Sequence, residues 1–290
     1  MRANNAKHYY DENYFNVIDT KVKAYFLGLL YADGCNVNHP TTGELSITLQ
    51  EEDSYILEKF KQVLKSDYPL ENINKADKNS NWKNSVRLYV YGKQIASDLS
   101  KWGCVPNKSL ILQFPTFLDD DLMQHFIRGY FDGDGCVWSG KRKFMCFKSR
   151  PNGRIVHNVK FTFTGAISFI TGLQDFFVSK LGFRKNKLAG YTKRTSSPVC
   201  TLEYSGRKNL KKLYDFIYQD TDDLYLVRKK KKFEEIFCAL DEKSSSETGL
   251  IAGTPEMVIS SQAESNSEGS STIPEMEVES SDSKCPALSE

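Results

Sequence analysis

Two aspartates, Asp33 and Asp134, each close an apolar stretch and are each followed by glycine: Phe26-Leu-Gly-Leu-Leu-Tyr-Ala-Asp33-Gly34 and Ile127-Arg-Gly-Tyr-Phe-Asp-Gly-Asp134-Gly135. The copies share one register, with Gly28 matching Gly129, Asp33 matching Asp134, Gly34 matching Gly135 and Cys35 matching Cys136, every pair 101 residues apart. Each stretch predicts a helix with small residues four apart, Gly28 and Ala32 in the first and Gly129 and Gly133 in the second. That spacing lets two helix backbones touch, so the copies are expected to pack on each other. Each helix is expected to stop at its Asp-Gly, with Gly34 and Gly135 in the left-handed conformation that ends helices. A carboxylate at that end faces the negative pole of the helix dipole, the unfavourable end. Two of them brought together repel unless a cation lies between, which points to a divalent-metal site built for chemistry.

The elements that would hold this pair repeat as well. Leu45-Ser-Ile-Thr-Leu-Gln50 alternates as a half-buried strand does, and Val159-Lys-Phe-Thr-Phe-Thr164 matches it at an offset of 114. A helix stripe follows each, formed by Ile56, Leu57, Phe60, Val63 and Leu64 and, 113 residues on, by Phe169, Ile170, Leu173, Phe176 and Phe177. Val86–Lys93 and Cys200–Arg207 match again at 114, so the second copy carries roughly twelve extra residues between Trp138 and His157. The fold class predicted is α+β, two pseudo-symmetric αββαββα repeats, with residues 1–19 as an N-terminal extension, 20–118 the first repeat and 119–240 the second.

Composition limits the function classes. A chain of 290 residues with 40% hydrophobic content buries a sizeable core. Seven cysteines without Cys-x-x-Cys spacing and four scattered histidines argue against a disulfide framework or structural zinc, and for a reducing intracellular compartment. No apolar run approaches a membrane span and no leader is evident. Residues 241–290 hold 11 acids and 2 lysines, net −9, whereas residues 1–240 hold 37 Lys plus Arg against 26 acids, net +11. The acidic, Ser- and Glu-rich tail predicts disorder. The basic body predicts phosphate binding, and Lys141, Arg142, Lys143, Lys148 and Arg150 crowd one hairpin, with Lys193 and Arg194 in the next. Polar strand-face residues Arg87, Tyr89, Gln50, Lys160 and Thr162 are placed to read base edges. Asp132-Gly-Asp134-Gly is not a calcium loop, since Lys143 stands where its bidentate Glu belongs. The run Arg228–Lys232 reads as a solvated helix face.

On these motifs the chain resembles the two-motif, monomeric LAGLIDADG homing endonucleases. It departs from the pattern at Tyr31, where Asp is common, and at Arg128, where a small residue is common. Because Tyr31 pairs with Asp132, the metal role falls to the last Asp of each copy, and Asp132 is expected to serve helix packing. The resemblance implies two antiparallel sheets forming a DNA-binding saddle. It implies two or three Mg²⁺ ions, replaceable by Mn²⁺, held by Asp33 and Asp134 with the Gly34 and Gly135 backbone. It implies Lys93, Gln50 and Arg207 as catalytic side chains around the pair, and double-stranded DNA with a long recognition site as partner. A DNA-binding protein of the same fold that has lost cleavage, a maturase or a transcription regulator, is the alternative.

Overall fold

The computed structural model describes residues 8–75, 77, 79, 81–144, 154–190 and 198–248, with backbone alone at 142–144, 154–156 and 243–248. Helix α1 (Lys21–Asp33) starts where the Thr20 hydroxyl accepts from the Lys23 amide. Strands β1 (Gly34–Asn38) and β2 (Gly43–Gln50) form a hairpin, α2 (Ser54–Val63) covers it, and β3 (Leu70–Ile73), β4 (Ser85–Tyr91) and α3 (Lys93–Lys101) complete the first half. The second half repeats the order with α4 (Asp120–Asp134), β5 (Gly135–Phe144), β6 (Arg154–Ala166), α5 (Ile167–Leu181), β7 (Val199–Ser205) and α6 (Arg207–Tyr218), and α7 (Val227–Thr248) follows. All strand pairs are antiparallel, in the orders β1-β2-β4-β3 and β5-β6-β7. No helix among the described residues is long and apolar enough to cross a membrane.

Alternation decides which sheet face is covered. Leu45, Ile47 and Leu49 with Val86, Leu88 and Val90 point into the core of one half, and Val159, Phe161 and Phe163 with Cys200, Leu202 and Tyr204 into that of the other. The intervening residues of β2, β4 and β7 stay half-buried on the opposite face. The helix stripes meet these faces through Ile56, Leu57 and Phe60 and through Phe169, Ile170, Leu173 and Phe177.

The structure departs from expectation in two places, a strand of the second half and the two glycines after the aspartates, and adds detail at both ends of the repeats. The strand expected to pair with β7 is reduced, among the described residues, to a single bridge, Ala189 to Thr201. The extension before α1 belongs to the core, with Tyr10, Phe15 and Ile18 buried. Helix α7 runs to Thr248, into the acidic segment that starts at 241, and the rest of that tail lies outside the described residues. Gly34 and Gly135 are not left-handed: φ is −77° and −84°, ordinary extended backbone. Space is what selects glycine there, since a Cβ on Gly34 would lie 2.6 Å from the Leu30 carbonyl oxygen and one on Gly135 2.5 Å from that of Phe131.

Helices α1 and α4 meet backbone to backbone. A Cβ on Gly28 would collide with the Phe126 carbonyl, one on Gly129 with the Tyr25 carbonyl, and one on Gly133 with the Ala32 methyl. This reverses the usual sign of a substitution. Alanine is the better helix former by about 1 kcal/mol, yet Gly28→Ala is expected to destabilise by about 1–3 kcal/mol through overpacking. Urea unfolding of the purified variant reads the sign directly.

Candidate active site

The close approach of α1 and α4 delivers their last residues to one place. Ala32 lies against Gly133, whose position is within 3.0 Å of Asp33 Oδ2 measured from a built Cβ. Burial, and then the charge of Asp134 beside it, push the Asp33 carboxyl up to about 7. Burial raises Asp134 as well, against the pull of Lys229 and Lys108. Tyr130 donates its hydroxyl to the Thr164 carbonyl (2.9 Å) and borders Asp134, and burial with that neighbouring carboxylate drives its phenol far up. Both acidic groups are thus crowded where their ionised forms are disfavoured.

Two lysines complete the arrangement. Lys108, in the short turn Lys108–Leu110 after α3, is buried and donates to the Gly34 carbonyl. Lys229, in the first turn of α7, donates to the carbonyls of Phe131 (2.7 Å), Gly133 (3.0 Å) and Gly135 (2.6 Å). Burial pushes its ammonium down to about 8 against the attraction of Asp132. Each motif therefore ends in an aspartate whose following glycine carbonyl is held by a buried ammonium. Those carbonyls, expected as metal ligands, already accept a hydrogen bond here, though each oxygen keeps a second lone pair.

Asp132 lies in the core. Its Oδ2 accepts from the Tyr25 hydroxyl and the Leu226 amide, both at 2.9 Å, while Oδ1 is buried without a hydrogen-bond partner. It ties α4 to α1 and to the segment that leads into α7. At the matching place in the first half, the Tyr31 hydroxyl donates to the Trp102 carbonyl.

No protein-family profile matches the chain. Over 113 residues it is 28% identical to the DNA-directed RNA polymerase subunit Rpo1C of Methanocaldococcus jannaschii, covering 39% of this chain and 12% of that protein. The chain thus spans only a small part of that relative's length. Among solved structures it is similar to the LAGLIDADG meganuclease I-AabMI bound to uncleaved DNA, at 17% identity over 77% of this chain and 91% of that one with a TM-score of 0.50. It is similar too to the I-SmaMI LAGLIDADG homing endonuclease bound to cleaved DNA, at 12% identity over 81% and 93% with a TM-score of 0.51. The chain has the LAGLIDADG fold.

Within the LAGLIDADG fold the expected site residues take different places. Asp33 and Asp134 converge, as described. Lys93 and Arg207 do not reach them: Gly92 bonds to Gly43 and Gly206 to Val159, each four residues along its strand from the partner of Gly34 or Gly135. Four residues span roughly 13 Å, so both side chains stand at the far ends of the sheets. Lys93 is exposed there and Arg207 pairs with Asp241. The basic residues of the site are Lys108 and Lys229, which the repeat offset of 114 missed because they are 121 apart. One signal was available for Lys229: it shares a helix face with buried Phe233 and Ile236, at i, i+4 and i+7. The solvated-face reading of Arg228–Lys232 fails for Lys229 on this account. Arg228 is exposed, as that reading expects, and pairs with Asp53 at 2.8 Å.

Gln50 ends β2 with its Oε1 buried and lacking a hydrogen bond, and its counterpart Thr164 bonds the Thr201 hydroxyl (3.0 Å). On the sheet face opposite the core, Arg87 donates to Thr48 (2.9 Å) and to the Tyr89 hydroxyl (2.7 Å), and Tyr89 stacks on Tyr91. Lys160 pairs with Glu203 at 2.7 Å and lies over the Trp138 ring, with Thr162 two residues on. Lys141 is exposed on β5. Arg142 and Lys143 share that strand through their backbone alone, and Lys148, Arg150, Lys193 and Arg194 lie outside the described residues.

Metal-free, the Asp pair should cost stability. A carboxyl raised in the folded state contributes stability that is complete below its unfolded value, about 3.9, and is lost as pH rises through its folded value, about 7 for Asp33. Asp33→Asn is therefore expected to stabilise the chelator-treated protein by about 1–2 kcal/mol at pH 8, discounted for partial solvent access. At pH 4 it should change nothing. Thermal melts of both proteins across that range measure the difference.

Proposed function

We propose that this chain is a site-specific, divalent-metal-dependent, double-strand DNA endonuclease acting as a monomer on a long recognition site. The observation that carries the reading is the pair Asp33 and Asp134, one from each motif helix, crowded together where β1 and β5 begin, with a buried lysine donating to the glycine carbonyl that follows each. The likeness to DNA-bound LAGLIDADG structures supports it.

The donor set suits a hard cation. Among the described residues no three His, Cys, Asp or Glu side chains converge, so the protein offers two carboxylates and leaves further positions to backbone oxygen, water and substrate phosphate. Mg²⁺ is bound in that way, by few carboxylates plus phosphates, and its bound form supplies charge at the scissile phosphate and an activated water. Asp33 and Asp134 would hold the ion, one carboxylate from each motif helix. Lys108 and Lys229 fix the turn after each aspartate and add positive charge where negative charge develops on phosphoryl oxygens. The polar sheet faces carrying Arg87, Tyr89, Lys160 and Thr162 position the duplex and read it.

Incubation of the protein with a randomised or genomic DNA pool and Mg²⁺, followed by sequencing of new ends, tests this. A single cleaved motif, absent when the cation is chelated, is the expected result. Enriched binding of a motif with no new ends would leave a cleavage-deficient DNA-binding protein. Phosphate binding by the β5–β6 hairpin has its own readout. Replacing Arg142, Lys143, Lys148 and Arg150 with Ala should flatten the slope of log affinity against log salt by roughly 0.9 for each phosphate no longer neutralised, with motif preference retained.

A further inference from the structure

The two lysines are delivered by unlike means. Lys108 is held within its own half: the Asn36 amide donates to the carbonyls of Cys104 (2.6 Å) and Ala96 (3.0 Å), and the Trp102 indole donates to the Phe15 carbonyl (2.6 Å). The second half touches this segment through β6, which packs against the turn Lys108–Leu110, and through Ser168, which donates to the Leu112 carbonyl (2.6 Å), but no side chain of the second half is bonded to residues 102–107 among the described residues.

Lys229 follows a strap, residues 219–226 between α6 and α7, that has no helix or strand of its own. Its backbone is unusual, with Asp220, Asp222 and Asp223 at φ of 55°, 46° and 59°, the left-handed region that costs a side-chain-bearing residue about 1 kcal/mol or more. Such a conformation persists where its surroundings hold it. Much of that hold comes from the other half. Lys21 of α1 pairs with both Asp220 (3.0 Å) and Asp222 (2.7 Å). Lys59 of α2 donates to the Asp223 carbonyl (2.7 Å), and the Tyr55 hydroxyl donates to the Tyr225 carbonyl (2.7 Å) while accepting from the Val227 amide (2.8 Å). Arg128, the residue that departs from the motif pattern, fans its guanidinium over the carbonyls of Leu224 (2.7 Å), Ile217 (3.2 Å) and Thr221 (3.4 Å) from beneath.

We propose that Tyr55, Lys59 and Lys21 of the first half are positioning residues for Lys229 of the second, so that cutting of the strand served by Lys229 depends on these three residues while cutting of the strand served by Lys108 does not. The inference rests on the endonuclease reading and adds an asymmetry to it. Tyr55 bridges the last strap residues and the first amide of α7, two residues before Lys229, so loss of its hydroxyl frees the end of the helix that aims the ammonium at Phe131, Gly133 and Gly135. The matching segment of the first half, residues 102–107 between α3 and Lys108, is instead bonded to Tyr31, Asn36 and Phe15 of its own half.

The test uses the full chain carrying Tyr55→Phe with Lys59→Met, substitutions that keep side-chain volume and touch neither aspartate nor lysine of the site. On a duplex of the selected target with each strand labelled, the strand assigned to Lys229 by its own Lys229→Met variant should be cut about tenfold more slowly, as expected when the three hydrogen bonds that Tyr55 and Lys59 make to the strap and the start of α7 are removed. The other strand should stay within about twofold of the wild-type rate, and nicked duplex should accumulate. Equal slowing of both strands, or of neither, overturns the proposal, because a general loss of stability spares neither site. Amide hydrogen exchange gives a second measure that needs no cleavage. Exchange at 226–230 should rise by about tenfold while 108–112 stays unchanged, and unchanged exchange at 226–230 also overturns it. Should the wild-type chain cut no DNA, the endonuclease reading falls by itself and exchange alone decides whether the strap is held from the first half.

Discussion

Asp33→Asn and Asp134→Asn are each expected to abolish double-strand cleavage, lowering the rate by about a thousandfold or more, while DNA affinity stays within about tenfold of wild type. The separation follows from what each carboxylate does. On the proposed reading, affinity for DNA would come mainly from Lys and Arg on phosphates, and neither aspartate would add to it. A cation held as proposed would have two carboxylates, and removing one would leave a single ligand of that type. Because Asp33→Asn should also stabilise the metal-free protein, an inactive but more stable variant rules out unfolding as the cause. Cleavage and binding measured on one labelled duplex, with a melt on the same sample, give all three quantities. Full cleavage by either variant would sink the assignment of both aspartates.

How far the residues disclosed this site depended on how local their signals were. Asp33 and Asp134 were legible because a helix with small residues four apart, closed by Asp-Gly, is a pattern written within nine residues and written twice. Strands β2, β4, β6 and β7 were legible by alternation, and the long β5–β6 hairpin by the growth of the repeat offset. The lysines were not. Lys108 sits in a turn without periodicity, and Lys229 is one of five consecutive basic residues, so its burial shows only when its phase is taken from Phe233 and Ile236. Matching by a fixed offset selected Lys93 and Arg207 instead, surface residues at helix starts. Arg128 was harder still: a charge in the middle of a buried helix is satisfied by carbonyls 89 to 96 residues away, which no window along the chain contains. The handedness expected of Gly34 and Gly135 failed for a related reason, since the preference for glycine there comes from the crowding of Leu30 and Phe131, backbone carbonyl and side chain together, and not from a left-handed turn.

Lys108→Met and Lys229→Met are expected to lower cleavage by about a hundredfold to a thousandfold, the range seen when one preorganised positive or hydrogen-bonding group is removed from a site of charge development. The loss should be uneven between strands, because Lys108 holds the turn after Asp33 and Lys229 the turn after Asp134. Methionine keeps the length and apolar stem of lysine, so packing is nearly retained and charge is the main change. The two variants should differ in stability. Lys108 donates to one carbonyl, whereas Lys229 donates to three and balances Asp132, whose carboxyl burial already pushes up to about 6. Removing Lys229 leaves that carboxylate with Arg128 as its remaining nearby cation, so Lys229→Met should lose stability above pH 6 that Lys108→Met retains. Adding Asp132→Asn to Lys229→Met should restore part of it, because the uncompensated charge is then gone. Strand-resolved cleavage with melts at pH 5 and pH 8 tests both points. Equal slowing of the two strands in both variants would mean that the lysines act on a shared centre, one cation serving both strands.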